Sequence, residues 1–249
     1  MNIPFELLPL FFVIAWLYST VGHGGASGYL ALFALLGVAR QDMVPVALAL
    51  NIVVAAISGW QFFRQGHLRW KLLLPLAVAS VPAAYLGAQL HVHRDTFGVL
   101  LGAALLFAAW HLLAFRRAVA AATAMDTRRR WLQALPIGGA LGMLAGMTGI
   151  GGGVFLSPLL LLLRWTDVRE TAAVSSAFIV LNSTSGLLAA VGSHGLEWQL
   201  LVPALFAVLA GAFFGARAGA RWFRPSTVRW MLALVLLLAG GKLLAGALL

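Results

Sequence analysis

Asn51, Ser175, Ser176 and Asn182 are amides and hydroxyls set in otherwise apolar sequence. Such groups donate hydrogen bonds to the oxygens of a small anion, and they cost far less to bury than a charge. In "AAVSSAFIVLNSTSG", Ser175, Asn182 and Ser185 recur at roughly helical spacing and can share a face; the first half offers Asn51 and Ser58. A second set of candidates is backbone. "TGIGGGVFLSP" (148–158) carries Gly149, Gly151, Gly152 and Gly153, and "VGHGGASGYLA" (21–31) carries Gly22, Gly24 and Gly25 around His23. Glycines let the backbone turn and approach a ligand closely. A helix that begins after such a knot presents free N–H groups and the positive end of its dipole, which suits an anion without any arginine.

Each candidate has a structural alternative. Serine and threonine can bond back to their own helix carbonyls. His23 faces Ile150 when the halves are compared, so it can titrate and couple protons, or it can be a neutral packing residue. Ser19, Thr20 and Ser27 flank the first knot and carry the same ambiguity. "GGALGMLAG" places Gly138, Gly142 and Gly146 four residues apart, and "GAFFGARAG" repeats this with Gly211, Gly215 and Gly219; these rows read as close helix–helix contact.

Other chemistries find little support. His91 and His93 form a pair without a third ligand, so neither a metal site nor a cofactor is expected. His67 and His194 nearly align between the halves, which points to shared ancestry at the membrane surface. Glu6, Asp42, Asp95, Asp126, Asp167, Glu170 and Glu197 all map to loops or helix ends, which argues against a carboxylate proton relay or a cation site. No P-loop or nucleophile–base spacing is readable, so no catalytic residue is named and the chain is not read as an enzyme. The absence of cysteine removes disulfides and thiolate metal sites.

The elements that must position these residues are membrane helices. The 249 residues are 62% hydrophobic and only 10% charged, with a mean hydropathy of +0.95, far too apolar for a soluble surface. Apolar blocks run over roughly 4–36, 43–63, 72–90, 97–115, 133–163, 171–191, 199–219 and 228–248, most of them near the ~20 residues a spanning helix needs. The net charge of +10 lies in short gaps between these blocks, as in cytoplasmic loops, and no nucleic-acid partner is implied. "MNIPFELLPLFFVIAWLYS" lacks a basic start and a cleavage site and reads as the first membrane helix.

A shift of 127 sets Gly22, Gly24 and Gly25 on Gly149, Gly151 and Gly152, and Ser58-Gly59 on Ser185-Gly186. A shift of 128 matches Trp70, Pro75 and Gly87 with Trp198, Pro203 and Gly215, and a shift of 131 matches Leu112-Leu113-Ala114 with Leu243-Leu244-Ala245. The chain is therefore read as repeat one (1–115), a basic linker (116–130) and repeat two (131–249) of a single membrane domain. If each long, knotted block crosses once, basic residues divide eight to eight between the two sides. If each folds back at its glycines, by two crossings or a re-entrant hairpin, they divide 14 to 2. The positive-inside rule selects the second arrangement. The expected fold is an all-α integral membrane protein of two inverted repeats, each of about five membrane segments. About eight are full spans and the rest are glycine-broken or re-entrant. The 116–130 loop is cytoplasmic and both termini lie outside.

The knot "GIGGGVFLSP" (Gly149 to Pro158), its degenerate copy "GHGGASGYLA", and "TAAVSSAF" after a short polar turn resemble the TauE/SafE family. The resemblance covers nearly the whole chain and implies a permease for sulfite, a sulfonate or a related anion in the bacterial inner membrane. It supports Gly149, Gly151, Gly152, Gly153, Pro158 and the Ser175-Ser176 pair as the family-like motif, whereas His23, Ala26 and Ala31 depart from it in the first half. The expected partners are a small anion and the lipid bilayer; a homodimer is compatible with such a transporter, though no residue argues for one. The rival expectation is a membrane scaffold or assembly factor in which the glycines serve only packing, or a permease for another ion or small molecule.

Overall fold

The computed structural model describes residues 3–90, 102–103, 105–107, 109–110, 113 and 127–248, and every regular element among them is helical. After a short 3-10 turn at Phe5–Leu7 come α1 (Leu8–Thr20), α2 (Ala26–Leu35), α3 (Arg40–Arg64) and α4 (Trp70–Gln89). The second half holds α5 (Thr127–Thr148), α6 (Gly153–Leu162), α7 (Val168–His194), α8 (Trp198–Arg217), a π-helical turn at Ala218–Trp222, and α9 (Pro225–Leu248). Block 97–115 and linker residues 116–126 lie largely outside the described residues. Arg128–Arg130, expected in the linker, instead begin α5.

Five helices among the described residues are long and apolar enough to cross a membrane, namely α3, α4, α7, α8 and α9. That is fewer than the eight spans expected from the sequence. Phe5–Thr20 and α6 are apolar but shorter. At 1.5 Å per residue, the 10-residue α2 and α6 reach only about 15 Å, half of a ~30 Å hydrocarbon core.

The first of these short helices folds back along its predecessor. The Phe11 ring meets Tyr29 at 5.8 Å and Phe33 at 5.4 Å, and Gly28 lies against Ile14, so α2 returns antiparallel along α1. In the second half, Gly152 at the start of α6 returns to Ala145 and the Leu141 carbonyl of α5. The long blocks at 4–36 and 133–163 are thus each broken at the glycine knot into a longer and a short helix.

The four-residue glycine rows form two seams between the halves. Gly138, Gly142 and Gly146 of α5 press on the backbone of Leu76, Ser80 and Ala84 of α4, running parallel. Gly211, Gly215 and Gly219, at and just beyond the end of α8, press on Phe12, Trp16 and Thr20 of α1, again parallel. The fourth helix of each half therefore docks on the first helix of the other. Without a hydrophobic drive inside lipid, such close backbone contact is what holds helices together. Gly142→Leu is expected to abolish recovery of a monodisperse protein by size-exclusion in detergent. Overpacking costs about 1–3 kcal/mol or more even in cores that can adjust, and here the obstacle is the Ser80 backbone. Gly139→Ala, with only Ala79 Cβ at 3.9 Å, should elute as wild type.

The third helices of the two halves, α3 and α7, run antiparallel: Gly186 faces Leu48, Ser183 bonds Asn51, and Ser176 faces Gly59. At one end of this pair Arg69 forms an ion pair with Glu170, Nε to Oε1 at 2.7 Å. Glu170 also completes a capping box with Asp167 that starts α7. Half-buried His67 lies in the same cluster. Burial pushes its imidazole below the usual histidine value, opposed by Asp167 and Glu170 and reinforced by Arg169.

Trp60, Trp70, Trp198, Trp222 and Trp230 are more than half exposed near helix ends. Tryptophan at the ends of apolar helices marks the two membrane interfaces.

Candidate functional site

Asn51 sits near the middle of the 25-residue α3, a helix long and apolar enough to cross a membrane. It is buried, and every hydrogen bond it makes is long-range in sequence. Oδ1 accepts from the Ala26 N–H at 3.0 Å, and Nδ2 donates to Ser183 Oγ at 2.8 Å and to the Ile150 carbonyl at 3.4 Å. One amide thus ties the start of α2, the second knot and α7 together. Both knots must approach it closely. A Cβ on Gly24 would overlap Asn51 Oδ1, and one on Gly151 would overlap both Asn51 Nδ2 and Ser183 Oγ. Gly151 also has φ +79°, a conformation that disfavours any L side chain.

The two half-helices start differently. Gly25 and Gly152 occupy their N-cap positions in the left-handed region, and neither offers a capping side chain. Asn51 replaces the missing cap on α2 by taking its first amide. The first amide of α2 is thus engaged within the protein, whereas α6 has no side-chain cap.

His23, buried in the first knot, reaches into the second half. Its Nε2 is 2.7 Å from Ser157 Oγ, which in turn donates to Ser175 Oγ at 2.8 Å. His23 Nδ1 is buried without a partner. Tyr29 OH and Asn182 Oδ1 share that condition. A buried polar atom left unpaired costs about 1–3 kcal/mol. Two of these atoms, His23 Nδ1 and the Tyr29 hydroxyl beside Gly25, lie at the first knot.

The remaining expected residues are placed as follows. Gly22 lies against the Ala172 backbone, Gly149 against Val44, and Gly153 against Ile179. Ser175 joins the His23–Ser157 chain. Ser176 bonds back to the Ala173 carbonyl and Asn182 back to the Phe178 carbonyl, so their donors serve their own helix. Ser19 and Thr20 do the same, with the carbonyls of Trp16 and Leu17. Ser58 reaches the Ser19 carbonyl and Ser185 the Val81 carbonyl, both crossing between helices. Ser175, Asn182 and Ser185 thus have three different kinds of partner despite their shared spacing.

Two residues were not singled out from sequence. Ser157 stands one position before Pro158, inside the quoted knot, and the signal was a hydroxyl in the first turns of a half-helix. Lys242 was visible as a lone cation in the last apolar block, and its ammonium donates to the Ser27 carbonyl of α2 at 2.8 Å. No group of three or more metal-ligating side chains occurs among the described residues. An apolar groove of about 370 Å³ along α9, lined by Leu113, Trp230, Met231, Leu234 and Leu237, lies apart from these polar groups.

Several helices long and apolar enough to cross a membrane, with a buried polar cluster at the starts of two short helices, describe a multi-pass membrane protein. The chain belongs to the family described as sulfite exporter TauE/SafE, which it matches over residues 7–243. It is 37% identical to "Probable membrane transporter protein y4hK" of Sinorhizobium fredii over 94% of this chain and 95% of that protein. It is 24% identical to "Probable membrane transporter protein YdhB" of Bacillus subtilis over 85% of this chain and 88% of the relative. Similarity to "Probable membrane transporter protein YjnA" of Bacillus subtilis is 24% over 98% of this chain and 100% of that protein. No solved structure matches the chain.

Proposed function

We propose that the protein is a secondary transporter that exports sulfite or a related small organosulfur anion across the bacterial inner membrane. The anion sits between the two half-helices, with Asn51, Ser175, Ser176, Asn182 and His23 around it and the backbone of Gly22, Gly24, Gly25, Gly149, Gly151, Gly152 and Gly153 close by. The observation that carries this reading is the convergence of both knots on Asn51, near the middle of a spanning helix. Irregular backbone at that depth is tolerated only where protein or a water-filled cavity satisfies it. The family description supplies the substrate class.

The two halves act as inverted repeats. Antiparallel packing of the equivalent helices α3 and α7, and the exchanged seams α1–α8 and α4–α5, support an axis lying in the membrane plane. The breaks at the two knots support the 14-to-2 distribution of basic residues, with linker 116–130 inside and both termini outside. One repeat rocking against the other exposes the site alternately to the two sides. Export needs no carboxylate relay, because an anion leaving a negative interior gains about 2.3 kcal/mol per charge per 100 mV.

The test is efflux from proteoliposomes loaded with a panel of oxyanions, using wild type, Gly152→Ala and Asn182→Ala. Selective efflux of sulfite or a sulfonate, accelerated by a negative interior and lost in both folded variants, is the expected result. No flux of any anion from inserted, folded protein would overturn the reading in favour of a scaffold. A cysteine placed at the N-terminus should react with an outside label; reaction only from the cytoplasmic side would overturn the topology.

A further inference from the structure

Lys242 lies in "LLLAGGKLLAG", six residues before the end of α9. A lysine so close to a helix end would ordinarily snorkel toward the headgroups. This one turns inward, and its ammonium donates to the carbonyl of Ser27 in the first turn of α2. The same turn gathers other polar groups. Tyr18 OH and Ser27 Oγ are 2.8 Å apart, and the fully buried Tyr29 hydroxyl lies beside Gly25, the N-cap, without a partner. No acidic side chain pairs with Lys242 among the described residues, where the ion pair formed is Arg69–Glu170. A single carbonyl is poor compensation for an ammonium with three donors at membrane depth.

We propose that Lys242 and Tyr29 hold the transported anion at the first turn of α2, with the Lys242 ammonium cancelling one of its negative charges. This rests on the anion-transport reading above and adds a specificity element to it. Lys242 reaches the Ser27 carbonyl and the Tyr29 hydroxyl lies beside the N-cap Gly25, both in the first turn of α2, whose dipole favours an anion. A cation fixed there favours a doubly charged oxyanion over a singly charged sulfonate. The shift that aligns the last spans of the two halves sets His111 opposite Lys242, so the sequence carries a basic-type side chain at this position in both copies; His111 lies outside the described residues.

The experiment measures KM for sulfite, at alkaline pH where it carries two charges, and for singly charged methanesulfonate. Proteoliposomes would carry wild type, Lys242→Met, Lys242→Arg or Tyr29→Phe, with a melting temperature for each. Lys242→Met should raise KM for sulfite roughly tenfold or more and for methanesulfonate much less, with Lys242→Arg restoring most of the difference. Tyr29→Phe removes an unpartnered hydroxyl, so its melting temperature should hold or rise while KM for both anions increases. Lys242→Met transporting both anions with wild-type KM would overturn the proposal and leave transport standing. An equal loss for both anions with a lower melting temperature, together with a silent Tyr29→Phe, would make the lysine a structural peg and also overturn it. Absence of flux for either anion in folded wild type would instead overturn the transport reading, and this proposal with it.

Discussion

Gly151→Ala is expected to abolish anion flux while the seams that hold the helices together stay intact. Two costs combine at this position. A non-glycine residue held at φ +79° pays about 1–2 kcal/mol in backbone strain. The new methyl would also occupy the space of Asn51 Nδ2 and Ser183 Oγ, so the amide must leave its place. With it go the bonds to the Ala26 amide and the Ile150 carbonyl, and the two knots lose their common anchor. Displacing a site by about 1 Å is enough to cost roughly a hundredfold in rate. Gly37→Ala is the matched control, since Gly37 has φ +70° and nothing within 4 Å of an added Cβ. It carries the strain without the collision, and should lose about 1–2 kcal/mol of stability with flux retained. Flux and melting temperature measured together separate the two. Wild-type flux from Gly151→Ala would mean that the knots are not at the site.

The contrast between Gly151 and Gly142 bears on how far the sequence could be read. Glycines four apart, as in the α5 and α8 rows, make a ridge that backbones pack against, and those rows do meet the backbones of α4 and α1. Clustered glycines cannot make a ridge, and each of the two clusters lies in the break before a short helix. Both distinctions follow from helical period alone. The short helix that follows each knot was equally legible, because the glycines stand at matching places in the two halves. Which helix of one half packs on which of the other was not, since that depends on three-dimensional exchange between copies. The polar residues were legible as a class but not one by one. Asn51 and Asn182 both look like amides buried in apolar helices, yet Asn51 bridges three segments whereas Asn182 bonds back to Phe178. The 127 shift already set Phe178, not Asn182, opposite Asn51, so the bridging amide belongs to one half only. Lys242 stood in the last apolar block with no partner readable from its spacing. Its inward turn depends on a carbonyl more than 200 residues away in sequence.

Asn51 offers the second large effect, and two substitutions divide its structural role from its electrostatic one. Asn51→Leu removes acceptor and donor together. It strands the Ala26 amide, the Ile150 carbonyl and the Ser183 hydroxyl in buried surroundings, each at about 1–3 kcal/mol. The expected result is a marked fall in melting temperature with no flux. Asn51→Asp keeps an acceptor for the Ala26 amide and has nearly the same shape, so its melting temperature should fall less. Its effect on the substrate is larger, because an ionised carboxylate about 5 Å from a bound anion repels it by roughly 3 kcal/mol at an effective dielectric of 20. Anion flux should drop by a hundredfold or more at neutral pH and recover in part as the pH is lowered, since a protonated carboxyl can again donate to Ser183. Flux unchanged in a folded Asn51→Asp variant would separate the amide from the anion path. Asn51 would then be a structural tie between the halves, and the binding groups would have to be sought at the uncapped end of α6, where His23 and Ser157 lie.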